Sequence, residues 1–279
     1  MITNVRILHQ FSTVLPVTFS VLNYEPKDVL FFDIETTGLS SKTSHVFLIG
    51  LISFQPDTKE WQLIQFLQEQ DNEEEERALL ETFSAFAKNR TQLIHFNGSS
   101  FDIPYLVSRY EKHQLPNPFS HKSSLDLYRE FLRMPAFFRQ MPNHTQKAFE
   151  ELTSYTRKDL LSGKEMIKFY HSYTKSPSKE KEDLLLQHNY DDLVGMLSVL
   201  PLFNLRQLPK GQWELTHVEE LKNRSRPNNY QRTVVYPHNS RPYSRPAFRF
   251  LSFRLHNGFL AYGKDKASLV RGNFKILLS

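Results

Sequence analysis

The 279-residue sequence contains no cysteine. Disulfides, thiolate metal sites and cysteine nucleophiles are thereby excluded. It also lacks a long apolar run: the longest, residues 46–52, includes a glycine and is too short to span a membrane. Residues 1–16 do not form a signal-peptide pattern, because polar residues break up the apolar ones. A cytoplasmic protein without a membrane partner is the expectation. There is no internal repeat and no heptad pattern. The length and an apolar content of 39% allow one large domain or two smaller ones.

Acidic residues are scarce toward the C-terminal end. Residues 204–279 hold 14 Lys and Arg against 4 Asp and Glu, whereas residues 1–203 hold 21 against 26. The net charge of +5 thus divides into +10 and −5. Such asymmetry is an electrostatic footprint for a polyanion such as nucleic acid, a solvated basic tail being the plainer alternative. Residues 222–246 carry six basic residues, four prolines and no acid, as a linker or basic loop does. Beyond them, 248–255 reads as a strand, Asn257-Gly258 as a hairpin turn before 259–262, and 274–279 as a last strand. The division expected is a domain at 1–209, with its motif core at 29–200, then a basic linker and small β-rich extension at 210–279. A protein partner for that basic region is a further expectation.

Within the first part, residues 29–32, 46–54 and 61–67 read as three strands of an antiparallel meander, broken at Pro56-Asp57. Asp71 or Asn72 caps a helix whose first turn, residues 73–76, is acidic, as the helix dipole favours. Leu79, Leu80, Phe83 and Phe86 recur at helical spacing and face the core. A strand at 93–96, a helix at 101–114 and a strand at 125–128 follow. Residues 134–203 are helical in pattern, with breaks at Pro142, Gly163 and Pro177 and a long last helix from Lys179 to about Leu200. The order predicts a mixed α/β sheet of five strands flanked by helices.

Asp33-Ile34-Glu35 closes the first of these strands. Residues i and i+2 of a strand share a face, so Asp33 and Glu35 project together. Two adjacent carboxylates are unfavourable unless a cation neutralises them, and hard oxygen donors suit Mg²⁺ or Mn²⁺. A strand end turning to solvent is the alternative. The string Asp33-Ile-Glu-Thr-Thr-Gly38 resembles the first motif of the DnaQ-like (DEDD) exonuclease superfamily. Asn97-Gly-Ser-Ser-Phe101-Asp102, after the fourth strand, is similar to its second; a helix N-cap is the structural role open to Asp102. The third motif, Tyr-x3-Asp or His-x4-Asp, has its counterpart in His188-Asn-Tyr-Asp191-Asp192. The residue type there follows the second form and the spacing the first. His188 and Asp192 share a helix face. Gly195 continues that stripe and lets the helix approach the sheet. Asp191 points elsewhere, toward solvent. Asp126 supports the site from behind or serves as a cap. The chain most resembles the YprB-type ribonuclease-H-like proteins.

The resemblance implies a ribonuclease-H-like fold and a 3′–5′ exonuclease acting on single-stranded 3′ ends. It implies two Mg²⁺ or Mn²⁺ ions held by Asp33, Glu35, Asp102 and Asp192. His188 would accept the proton of the attacking water or orient it. Thr36, Thr37, Gly38 and Leu39 would lie along the terminal nucleotide, with Asn97 and Phe101 also at the substrate. A structure-selective endonuclease and an inactive nucleic-acid-binding scaffold are the competing expectations.

Overall fold

The computed structural model describes residues 1–11, 15–134, 141, 143–153, 155–159 and 161–207. Pro142, the basic linker, the strands expected after residue 248 and the Asn257-Gly258 hairpin lie outside the described residues.

The apolar runs make the centre of one sheet. β2 (Val29–Thr36), β3 (Val46–Gln55) and β4 (Glu60–Leu67) form the antiparallel meander. β5 (Gln92–His95) pairs parallel with β2, and β6 (Ser123–Asp126) parallel with β5. Among the described residues the sheet has six strands, not five, because β1 (Ile2–Ile7) pairs antiparallel with β4. The order is β1-β4-β3-β2-β5-β6. β1 is an edge strand whose Val5 and Ile7 stay exposed. Its ladder to β4 and the Arg6 guanidinium over the Tyr190 ring hold it, so it needs no apolar run to betray it.

Alternation along the strands divides the core between the two sheet faces. On one face Leu30, Phe32, Ile34, Ile49, Leu51 and Phe66 pack with α2 (Glu73–Ala87) and α3 (Asp102–Lys112). Asn72 caps α2, accepting the Glu75 N–H at 2.8 Å. Leu79, Leu80 and Phe83 are fully buried, and Phe86 is partly buried against the same cluster. Glu76 departs from the acidic face by turning inward. It takes a bidentate pair from Arg109 at 2.7 and 2.5 Å and the Val46 N–H at 3.0 Å. Arg109 also donates to the Ser41 carbonyl at 2.8 Å, which ties down the loop after β2.

The strand expected at 125–128 ends at Asp126, and Leu127 opens α4 (Leu127–Arg133). The Asp126 carboxylate accepts the Arg129 N–H, a side-chain cap that favours helix over a longer strand. The helical stretch expected over 134–203 is likewise interrupted. α5 (Gln146–Glu150), α6 (Gly163–Lys175) and α7 (Lys179–Val199) are helices, but residues 155–159 are not. There the N–H groups of Lys158 and Asp159 bond to the Asp191 carboxylate, at 2.9 and 2.6 Å, instead of to a helical carbonyl. On the second sheet face, Leu48 and Leu67 pack with Met166 and Tyr170 of α6 and with Leu185 and Leu186 of α7.

The chain divides into two compact units. The first, Met1–Ser12, Asn23–Arg129 and Arg157–Leu197, contains the whole sheet. The second is Thr13–Leu22, Glu130–Thr156 and Ser198–Ser279. Among its described residues, α1 (Leu15–Leu22) packs on the 3₁₀ turns of Leu200–Gln207, and Phe131 stacks on Phe149 and Phe203.

Candidate active site

Because Phe32 and Ile34 fill the first core face, Asp33 and Glu35 emerge half-buried on the other, toward α7. Gly50 lies beside Asp33 in the β2–β3 ladder, and Gln65 lies beside Gly50. A Cβ on Gly50 would stand 2.0 Å from Asn189 Oδ1, so glycine is what admits α7 this close. A close approach of α7 to the sheet is made at Gly50. Asn189, fully buried, donates from Nδ2 to Asp33 Oδ2 at 2.8 Å and accepts at Oδ1 from Gln65 Nε2 at 2.9 Å. Gln65 also donates to the Leu186 carbonyl at 2.8 Å. These bonds lock the register of α7 against β2.

That register brings His188 and Asp192 to Glu35. His188 Nε2 stands 3.6 Å from Glu35 Oε1 and 3.5 Å from Asp192 Oδ2. Asp102, buried in the first turn of α3, approaches from the end of β2, where the backbone N–H groups of Asp102 itself and of Ile34 favour its charged form. Phe101, not Asp102, is the N-cap residue of α3.

Asp33, Glu35, Asp102 and Asp192 act on one another's charge. Burial first, then the charges of Asp192, Glu35 and Asp102, push the Asp33 carboxyl well above its usual range, with the Asn189 bond opposing. Glu35 is raised well above its range by burial and then by Asp192, Asp102 and Asp159, while Arg157 relieves it. Asp102 is pushed up to about 7, chiefly by burial and, against its backbone donors, by Asp126 and Asp192. Among the described residues, Glu35, His188 and Asp192 each offer one donor atom within 4.8 Å of the others. An oxygen-rich donor set that is costly to ionise alone fits a divalent cation.

Asp102→Asn tests that cost. A carboxyl whose pKa is raised by folding binds its proton more tightly in the native state. Its favourable contribution is present below the unfolded value of 3.8 and is lost as pH rises through about 7. At pH 8 in chelator, Asp102→Asn should raise the thermal midpoint by roughly 3–10 °C, equivalent to about 1–3 kcal/mol. At pH 4 the two proteins should melt together. A variant that melts lower at pH 8 contradicts the reading.

Two residues that no motif marked, Arg157 and Asp159, join the site, and Asp191 holds them there. Arg157 Nη2 lies 2.6 Å from Asp192 Oδ1. Asp159 Oδ2 lies 2.8 Å from His188 Nδ1. Asp191, expected in solvent, is buried instead, and by accepting the two N–H groups above it holds the segment that carries both. No local pattern in residues 157–159 announces this, because the contacts are made across about thirty residues.

The remaining expected residues flank the centre. Thr36 is buried and donates from Oγ1 to the Gly38 carbonyl at 2.9 Å. Thr37 exchanges backbone and side-chain bonds with His45. Leu39 is 87% exposed, far more than any other large apolar side chain described. Asn97 adopts a left-handed φ of 59° and donates its N–H to Asp126 Oδ1 at 2.9 Å, while Ser99 N–H takes Oδ2 at 3.2 Å. Asp126 thus shapes the loop before Asp102. Gly98 donates its N–H to His95 Nδ1 at 3.0 Å, and a Cβ there would sit 2.7 Å from that ring. Phe101 is partly buried against the first core cluster and its neighbour Tyr105.

A mixed sheet whose central strand and two helices deliver carboxylates to one place defines a ribonuclease-H-like α/β protein. The family model of the RNase_H superfamily matches residues 30–204, and the chain belongs to that superfamily. Similar solved structures include the family B DNA polymerase from the hyperthermophilic archaeon Pyrobaculum calidifontis, 18% identical with a TM-score of 0.48, over 67% of this chain and 26% of that one. The zinc-bound E. coli ExoI–ssDNA complex is 14% identical with a TM-score of 0.39, over 64% of this chain and 40% of that one. Product-bound exonuclease I is 13% identical with a TM-score of 0.37, over 63% and 42%. The chain spans less than half the length of each. No curated protein matches.

Proposed function

We propose that the protein is a metal-dependent 3′–5′ exonuclease of the DnaQ-like (DEDD) group, nearest the YprB-type proteins, that hydrolyses phosphodiester bonds of nucleic acid. The observation that carries this reading is the convergence of Asp33, Glu35, Asp102 and Asp192, whose charges oppose one another. These four residues would hold two Mg²⁺ or Mn²⁺ ions. When bound, such ions neutralise the transferring phosphoryl group and favour in-line attack by water.

The chain's own residues supply the positioning. Asn189 orients Asp33, and His188 completes the reacting centre through Nε2. Thr36, Thr37 and Gly38 shape the loop along the terminal nucleotide, and Leu39 offers it an apolar surface. Asn97 and Phe101 border the substrate from the loop that leads into Asp102. The basic residues of 204–279 add attraction for the phosphate backbone or for a protein partner.

The test is degradation of 5′-labelled single- and double-stranded DNA and RNA in Mg²⁺, Mn²⁺ or chelator. We expect single strands to shorten stepwise from the 3′ end, and both chelator and a blocked 3′ terminus to stop the reaction. Internal cutting of the blocked strand replaces the exonuclease by an endonuclease. Intact strands under every condition defeat the nuclease reading.

A further inference from the structure

His188 is set in a way that the exonuclease motif does not explain. His188 is 7% exposed, and both of its ring nitrogens face carboxylates. Nδ1 is 2.8 Å from Asp159 Oδ2, an ordinary hydrogen bond. Asp159 is itself buried and held by the bond from its own N–H to Asp191. In the tautomer that donates from Nδ1 to Asp159, Nε2 is the nitrogen that carries the lone pair, and it faces Glu35 and Asp192.

Nε2 lies 3.6 and 3.5 Å from the nearest oxygens of those two residues. Both separations exceed the usual N–H···O range of about 2.7–3.2 Å. They lie close to the spacing of neighbouring donors around one cation, which metal–ligand bonds of about 2.0–2.2 Å place roughly 3–3.5 Å apart. Asp192 divides its two oxygens in keeping with this: Oδ1 is paired with Arg157 and Oδ2 faces Nε2.

We infer that His188 is itself a metal ligand through Nε2, oriented by Asp159, and that with Glu35 and Asp192 it makes a site selecting a transition-metal cation of the Mn²⁺ type over Mg²⁺. This rests on the metal-dependent reading above and replaces the proton-accepting role that the family resemblance implies for His188. The chemistry follows from the donors. Mg²⁺ takes oxygen ligands and keeps its waters, whereas an imidazole nitrogen suits first-row transition metals. A buried carboxylate on the far ring nitrogen fixes the tautomer and strengthens the ligand. Asp159 is thus a positioning residue.

The experiment titrates Mn²⁺ into the full chain without nucleic acid, following free Mn²⁺ by electron paramagnetic resonance with Mg²⁺ as competitor. Pulsed resonance then reports whether a nitrogen nucleus couples to the bound ion. The wild type should show imidazole coupling and bind Mn²⁺ at least about 10-fold tighter than Mg²⁺. His188→Gln should lose the coupling and most of that preference. Asp159→Asn should weaken Mn²⁺ by about 10–100-fold and Mg²⁺ by less. The absence of nitrogen coupling in the wild type overturns the inference, and because that reading needs no variant, a misfolded substitution cannot obscure it. Mn²⁺ affinity unchanged within about 2-fold in His188→Gln overturns it equally. If Mn²⁺ binds through nitrogen and no strand is shortened, the exonuclease reading fails alone. If Mn²⁺ does not bind at all, both fail.

Discussion

Asp33→Ala should reduce metal-dependent shortening of a labelled oligonucleotide by at least about 10³-fold, and Asp192→Ala should do the same. Charge stabilisation by a correctly held cation is worth several kcal/mol in the transition state, and each 1.36 kcal/mol is tenfold in rate. Asp33 lies on the central strand, where the Asn189 bond fixes one carboxylate oxygen. Asp192 lies on α7 with one oxygen already paired to Arg157. Neither position can be supplied from elsewhere, because each backbone is fixed by the ladder or by the docked helix. Loss of activity through unfolding is a separate outcome with its own signature. Asp33 is half-buried among like charges, so the control Asp33→Asn, which keeps an acceptor for Asn189, should leave the metal-free melting temperature unchanged or raised. Turnover within a few-fold of wild type in either variant removes that carboxylate from the site.

Gly50→Ala should cost about 1–3 kcal/mol of stability, the usual range for overpacking, and on the order of 10²-fold in turnover through misplaced catalytic groups. One methyl group is enough. The new Cβ would stand 2.0 Å from Asn189 Oδ1 and 2.5 Å from Leu193 Cδ1, far inside contact distance. Asn189 cannot swing away cheaply, since Gln65 and Asp33 hold both ends of its amide. Relief must come from moving α7, and α7 carries His188 and Asp192. Urea denaturation and steady-state kinetics measure the two effects separately. Asn189→Ala in the same chain removes the worst clash, so the double variant should regain stability relative to the sum of the singles without regaining turnover. Wild-type stability and rate in Gly50→Ala would mean that α7 does not rest on the strand as described.

Residues that act through nearest neighbours in the chain were legible in the sequence. The apolar runs at β2, β3 and β4 and the amphipathic spacing of α2 reported both their elements and their core faces. The two-residue repeat of a strand was sufficient to put Asp33 and Glu35 on one side, and the four-residue spacing of a helix to align His188 with Asp192. Errors arose where a side chain replaces the regular backbone partner. Asp126 ends β6 early by capping α4, and Asp191 diverts residues 158–159 from helix by taking their N–H groups. β1 carries no apolar run because an edge strand is stabilised by its ladder more than by burial.

By itself, then, the sequence determined the class of fold, the shared strand face of Asp33 and Glu35 and the shared helix face of His188 and Asp192, because periodicity is a local quantity. Only the tertiary structure decided how α7 meets the sheet and what surrounds its histidine. Gly50 and Asn189 are 139 positions apart, and Asp159 reaches His188 across 29. Contacts of that kind are chosen by packing: a missing side chain on a strand admits an amide, the amide sets the helix, and the helix turns a histidine toward two carboxylates.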